Sequence, residues 1–222
     1  MTTEQKKAVC LISGGLDSTV ATAMAIEQGY QPIFLFLRYG QKTAEKEEWC
    51  LDQLVKHWKV KQVYKVDLPW IKNFGGSALL DKNIPLDERN FRLEYVPFRN
   101  SIFLGVATAL AEVQGADIIV VGSTGGDHIC PDNSPEFIDA YQKVVEKGTM
   151  LKKDIKIFHP LTETDKTGAI KLGNNMKVPF EFTWSCHNGT EVACGHCSNC
   201  KARIEAFELN LMKDPIAYKS ES

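Results

Sequence analysis

Six consecutive residues, Ser13-Gly14-Gly15-Leu16-Asp17-Ser18, bring together the groups that hold a phosphate. They lie between the apolar run Ala8–Ile12, read as a strand, and a helix-like stretch over Asp17–Gln28. Adjacent glycines let the backbone approach an anion closely and reach positive φ without a Cβ clash. The helix start presents unsatisfied N–H donors and the positive end of the helix dipole. Ser13 and Ser18 add hydroxyls, and Asp17 is expected to cap loop amides. No Gly-Lys-Ser/Thr follows, so this is not a Walker loop. The plainer alternative is a Gly-Gly turn with an ordinary helix cap.

A second constellation sits near the other end. Cys186, Cys194, Cys197 and Cys200 fall within fifteen residues and include two overlapping C-x-x-C units. Four thiolates at this density suit a closed tetrahedral Zn²⁺ site, structural because no coordination position remains open. His187 or His196 could replace one thiolate, and an iron–sulfur cluster is the rival occupant. Seven cysteines in a chain of 222 residues do not read as a disulfide framework.

The elements that must carry these groups alternate. Ala8–Ile12, Pro32–Leu37, Gln62–Val66, Asp117–Val121 and Ile155–Phe158 read as strands. Helical stretches follow at Thr43–Trp58, Ser101–Gln114, Pro135–Lys147, Thr162–Leu172 and Cys200–Leu211. Unbroken apolar strands separated by helices predict an α/β fold with a doubly wound parallel sheet. In such folds ligands bind beyond the carboxyl ends of the strands. The polar, glycine-rich segment Gly122–Asp132 is therefore the candidate substrate wall, with Asp127 and Asp132 as candidate substrate-binding carboxylates. Trp70–Glu94 breaks the rhythm and is read as a mobile lid. Residues 1–177 are expected to form the nucleotide-binding domain, and residues 178–222 a metal-bearing segment packed on it.

Composition narrows the class. With 44% hydrophobic and 24% charged residues, the chain can bury a full core. A formal net charge of −2 and the absence of a basic run argue against a dedicated nucleic-acid surface. Residues 1–9 show no secretory apolar core, and no stretch approaches the ~18 apolar residues of a membrane span. The expectation is a cytoplasmic chain with no membrane partner.

Residues 13–18 resemble the signature of the PP-loop ATP pyrophosphatases, which implies that Ile12, Ser13, Gly14, Gly15, Leu16, Asp17, Ser18 and Thr19 bind ATP with Mg²⁺. Further pieces extend the likeness: Tyr39-Gly40-Gln41, Val96-Pro97-Phe98-Arg99-Asn100, Pro131-Asp132 with Pro135-Glu136-Phe137, and Thr183-Trp184-Ser185-Cys186 with the other three cysteines. In that order they resemble the 7-cyano-7-deazaguanine synthase family of the queuosine pathway. The resemblance implies three substrates, 7-carboxy-7-deazaguanine, ammonia and ATP, and makes Asp127 and Asp132 candidate base-binding carboxylates, Asp132 accepting two N–H donors from the guanine-like edge. It further implies adenylated intermediates, release of AMP and pyrophosphate, a homodimer, and a nitrile product (preQ0). Arg99 and Lys166 are the cations expected to stabilise the reacting phosphorus centre and pyrophosphate.

Two places depart from the family's pattern. Cys130-Pro131-Asp132-Asn133-Ser134 stands where the family reads Tyr-Pro-Asp-Cys-Arg, so its cysteine and arginine are replaced by Asn133 and Ser134. Thr43 stands where a histidine is common. Three rivals remain in view: a related PP-loop enzyme acting on another deazapurine or a macromolecule, a tRNA thiolase, and a non-catalytic ATP-binding sensor.

Overall fold

The computed structural model describes residues 5–81, 83–84, 93–125, 130–150, 154–188 and 190–219. The strands are β1 (Lys7–Leu11), β2 (Gln31–Arg38), β3 (Gln62–Asp67), β4 (Ile118–Val120) and β5 (Lys156–Phe158). All pair in parallel, in the order β3-β2-β1-β4-β5. In β2, Phe34 and Phe36 enter one core while Ile33, Leu35 and Leu37 enter the other. Ala8 and Cys10 of β1 alternate with Val9 in the same way. Both faces of the sheet are thus covered, which is why these strands read as continuous apolar runs.

Helices α1 (Leu16–Glu27), α2 (Ala44–Trp58), α6 (Lys166–Asn175) and α7 (Ser198–Leu209) cover the face holding Phe34. The short α3 (Trp70–Asn73), α4 (Arg99–Gln114) and α5 (Pro135–Gly148) cover the other. The expected doubly wound α/β fold is therefore what forms. Cys10 of β1 lies opposite Phe34 of β2 on one side and Val120 of β4 on the other. Strand order reverses beside β1, and its carboxyl end opens into the ligand crevice of this architecture.

Local chemistry moves several boundaries. Helix α6 begins at Lys166 rather than Thr162, because Asp165 caps it by accepting Gly168 N–H at 2.7 Å. Helix α4 begins at Arg99 rather than Ser101. Phe98 before it takes a left-handed backbone, φ 58°, and Asp132 accepts the Asn100 N–H at 2.8 Å. A carboxylate from a neighbouring turn thereby satisfies a first-turn donor.

The expected lid is corrected over its described part. Ile71, Ser77, Ala78 and Leu80 are buried. Ala78 N–H donates to the Leu93 carbonyl at 2.6 Å, and Ser77 Oγ to the Glu94 carbonyl at 3.3 Å. These contacts fold the segment's ends onto each other and onto the Ile33 side of the sheet. Residues 82 and 85–92 lie outside the described residues.

The C-terminal segment is anchored by a buried ion pair. Arg203 is fully buried, with Nε 2.8 Å and Nη2 3.0 Å from the two oxygens of Asp214. Its remaining donors reach Thr183 Oγ1 at 2.7 Å and the Phe180 carbonyl at 3.1 Å. Tyr218 adds a 2.5 Å hydrogen bond to the same carboxylate. Removing one partner leaves the other charge buried and uncompensated. Asp214→Asn should therefore cost about 3–5 kcal/mol of stability, read as a lowered denaturant midpoint; an unchanged midpoint would show that solvent replaces the pair.

Candidate functional site

The phosphate loop is built from its own hydroxyls. Ser18 Oγ accepts Ser13 N–H at 3.2 Å and lies 3.0 Å from Ser13 Oγ. Ser13 Oγ accepts Gly15 N–H at 3.2 Å, and Thr19 Oγ1 donates to the Gly15 carbonyl at 2.7 Å. Of the two glycines, Gly14 alone has positive φ, +73°. A Cβ on Gly14 would lie 2.7 Å from the Glu47 carbonyl oxygen and 2.9 Å from Cys50 Cβ. Gly122, just beyond β4, was not singled out from sequence. A Cβ there would stand 2.3 Å from Ser18 Cα, so only glycine lets the β4 turn lie against the start of α1. Asp17 does not cap the loop as expected: α1 has Gly15 at its N-cap and no side-chain cap, and Asp17 Oδ2 instead meets Lys166 Nζ at 2.5 Å.

Ile12, Ser13, Gly15, Leu16, Asp17 and Ser18 line a cavity of about 580 Å³ together with Lys166 and Arg99. Of the expected nucleotide stretch, Gly14 and Thr19 support the loop from behind the cavity wall. The two predicted cations, 67 residues apart in sequence, thus face one space. Arg99 Nη1 donates to Tyr39 Oη at 3.0 Å, and its Nη2 lies 3.4 Å from Asn100 Oδ1. Among the described residues its Nε is buried without a hydrogen-bond partner, as is Ser123 Oγ on the same wall. Burial works against the Arg99 cation, but the phenol of Tyr39 and the carboxylate of Asp132 more than offset it, and its pKa lies above the ordinary value.

The two candidate base-binding carboxylates fare differently. Asp127 lies outside the described residues. Asp132 is 2% exposed and does not face the cavity. Its oxygens accept Asn100 N–H at 2.8 Å and Asn100 Nδ2–H at 3.2 Å, so it holds the start of α4 and orients the Arg99-Asn100 pair. Besides Asp17 and Glu94, the cavity is lined by Glu47, a carboxyl that sequence reading passed over. It sits in a charged run, Glu45–Glu48, that reads as the solvated face of α2. Burial raises its pKa, while hydrogen bonds from Thr43 and Gln41 act the other way.

The four cysteines converge. Their sulfurs lie within 4.8 Å of one another and all four residues are buried. Cys194 N–H points to Cys186 Sγ at 3.5 Å, and Cys197 N–H to Cys194 Sγ at 3.3 Å. Backbone donors aimed at sulfur stabilise thiolate, the form that ligates a metal. The donor set fits one soft ion. His196 hydrogen-bonds the Cys194 carbonyl at 2.9 Å, and His187 lies between Glu94 and the Asn199 amide; neither joins the sulfur cluster. The cluster is linked to the phosphate loop through Trp184, whose N–H donates to the Gly14 carbonyl at 2.9 Å and whose indole N–H donates to the Cys186 carbonyl at 2.8 Å.

A family model described as queuosine biosynthesis protein QueC matches residues 7–211. A 7-cyano-7-deazaguanine synthase of Methanospirillum hungatei JF-1 is 41% identical over 96% of this chain and 100% of its own length. A 7-cyano-7-deazaguanine synthase of Sulfurovum sp. strain NBC37-1 is 39% identical over 96% of this chain and 99% of its own. Among solved structures, a 4-thiouridine synthetase in complex with RNA and bound ATP matches with TM-score 0.54 and 19% identity. That match spans 91% of this chain and 50% of the synthetase. An NMN synthetase from Francisella tularensis matches at TM-score 0.53 and 16% identity, over 94% of this chain and 79% of its own. These two likenesses show a shared fold. Among the described residues no helix is long and apolar enough to cross a membrane.

The sulfur cluster generates a direct test. The purified chain should carry one metal equivalent, and Cys197→Ser should lose it together with thermal stability. Full metal content and an unchanged melting temperature in that variant would refute the cluster as a metal site.

Proposed function

Because this chain belongs to the queuosine biosynthesis protein QueC family, we propose that it makes 7-cyano-7-deazaguanine from 7-carboxy-7-deazaguanine and ammonia by two successive adenylations. The observation that carries this reading is the placement of the phosphate loop, Lys166 and Arg99 on one cavity.

The chemistry follows from the groups present. A substrate carboxylate oxygen attacks the α-phosphorus of ATP, the bridging P–O bond breaks, and pyrophosphate leaves. Ammonia then adds to the acyl carbon and AMP leaves, giving the amide and a proton. The amide oxygen attacks a second ATP in the same way, and loss of AMP with the remaining N–H protons leaves the nitrile. In each activation, negative charge builds on phosphate oxygens. Donors fixed in advance around that charge lower the barrier. The loop amides, the Ser13 and Ser18 hydroxyls, and Lys166 would meet the departing pyrophosphate. Arg99 would meet the acceptor carboxylate. Mg²⁺ enters with ATP as its counter-ion.

In the same reading the four cysteines hold Zn²⁺, which has no redox role and needs no open position when four thiolates surround it. Residues 178–222 are then a zinc-bearing segment on a nucleotide-binding domain of residues 1–177, and the assembly is a homodimer. A thiolase role is disfavoured by Cys10 and Cys50: burial pushes both thiols up to about 12, which leaves them un-ionised and unreactive.

The test is product mass after incubation with 7-carboxy-7-deazaguanine, ammonium and Mg²⁺-ATP. The nitrile should form, with two AMP and two pyrophosphate per product. Asp17→Ala and Lys166→Ala should each lower turnover by roughly 10²–10³-fold while the circular-dichroism spectrum stays native. ATP consumption without loss of the acid would overturn the substrate assignment, and accumulation of the amide would overturn the second activation.

A further inference from the structure

Gln41 of the Tyr39-Gly40-Gln41 motif and the half-buried Glu47 form one hydrogen-bonded unit at the carboxyl end of β2 to which the phosphate chemistry assigns no role. Gln41 is pinned to the backbone by its oxygen, which accepts Tyr39 N–H at 2.9 Å, and by its amide, which donates to the Leu37 carbonyl at 3.2 Å. The same amide donates to Glu47 Oε2 at 3.0 Å, and Thr43 Oγ1 donates to Glu47 Oε1 at 2.5 Å. One donor on each oxygen fixes the carboxyl plane. A carboxylate offers about four lone-pair sites, so both oxygens retain capacity toward the cavity they line. Arg99 and His187 act on this carboxyl electrostatically, but no ion pair to it forms among the described residues.

A carboxylate held flat and without a salt-bridge partner is matched by a ligand that presents two parallel N–H donors. Across the same basin, Arg99 offers a buried Nε–H that has no partner among the described residues. An acceptor pair next to a cationic donor complements a planar edge that reads donor, donor, acceptor. That is the edge of a 2-amino-pyrimidin-4-one. Resting on the functional reading above, we propose that Glu47, held by Gln41 and Thr43, binds the 2-amino-pyrimidinone edge of the substrate and determines specificity for it. Burial alone would favour the neutral acid, and a pair of N–H donors from the ligand would favour the carboxylate. Asp132 cannot take this place, because it is turned away into the start of α4.

The test compares two acids, 7-carboxy-7-deazaguanine and its analogue lacking the 2-amino group, each with Mg²⁺-ATP and ammonium. A site built to bind an N–H edge rejects a ligand that lacks it, so wild-type kcat/KM should be roughly 10²–10³-fold lower for the analogue. Glu47→Gln should lower kcat/KM for the 2-amino acid by a similar factor, mainly through KM. It should bring the two acids to within a few-fold of each other and leave the KM values for ATP and ammonium nearly unchanged. Thr43→Val, which removes one fixing hydrogen bond, should give a smaller loss in the same direction and serves if Glu47→Gln does not fold. Equal use of both acids by the wild type would overturn the assignment while leaving the reaction intact. So would a raised KM for ammonium in Glu47→Gln with discrimination preserved. Consumption of neither acid would instead overturn the functional reading, and this assignment with it.

Discussion

The catalytic end of the molecule depends on the packing of one residue without a side chain. Gly14 lies so close to α2 that a Cβ would strike the Glu47 carbonyl at 2.7 Å and the Cys50 Cβ at 2.9 Å. Its φ of +73° is a conformation that costs other L-residues roughly 1–2 kcal/mol. Its carbonyl accepts the Trp184 N–H. Three elements distant in sequence therefore meet at one peptide: the phosphate loop, the helix that carries Glu47, and the segment leading into the cysteines. Gly122 makes the corresponding close approach on the other side, where the β4 turn lies against Ser18. The loop is clamped from both sides, and its own hydroxyls hold its Ser13 and Gly15 amides in place.

Charge in the cavity is organised by the same economy of fixed groups. Lys166 is the first residue of α6, and Asp165, immediately before it, caps that helix, so the cation's origin is set by the cap. Arg99 is likewise the first residue of α4, after a left-handed Phe98 and beside a carboxylate that captures Asn100. Holding an aromatic residue at positive φ is costly, and such strain persists where surrounding structure over-determines it. Here it turns the chain sharply enough to bring Arg99 against Tyr39 at 3.0 Å. Both cations enter the site from helix starts, where rigid backbone rather than a long flexible loop defines their position.

Much of this was legible in the chain. Parallel strands buried on both faces leave unbroken apolar runs, and PIFLFL at Pro32–Leu37 could hardly be anything else. The Ser13–Ser18 loop and the four cysteines were legible because their chemistry demands particular residue types at short spacing. What could not be read was the direction of single side chains. Asp132 and Glu47 are both carboxylates near the crevice, and sequence favoured the wrong one as the cavity group. Asp132 stood in a polar glycine-rich turn, whereas Glu47 was masked by the charged neighbours Glu45, Lys46 and Glu48. Which of them faces the ligand depends on how α2 is rotated against Gly14, a tertiary contact with no local signature. The segment Trp70–Glu94 misled for a related reason: lacking periodicity it resembled a lid, while its described part packs through Ile71, Ala78 and Leu80.

The same contacts tie the cysteine cluster to the phosphate loop. Cys186 follows Trp184 by two residues, and that tryptophan bonds the Gly14 carbonyl through its backbone and the Cys186 carbonyl through its ring. Cys50, from α2, shares a buried cluster with Trp184 and all four metal-site cysteines. Fixing the four sulfurs round one ion therefore also fixes Trp184, and with it the rear wall of the phosphate loop. From the far side, Arg203 of α7 reaches the Thr183 hydroxyl and the Phe180 carbonyl, so the residues entering the cysteine segment are held at both ends. The sulfurs and the phosphate loop therefore share one rigid connection, because the tryptophan that bonds the Gly14 carbonyl also bonds the backbone of the first cysteine.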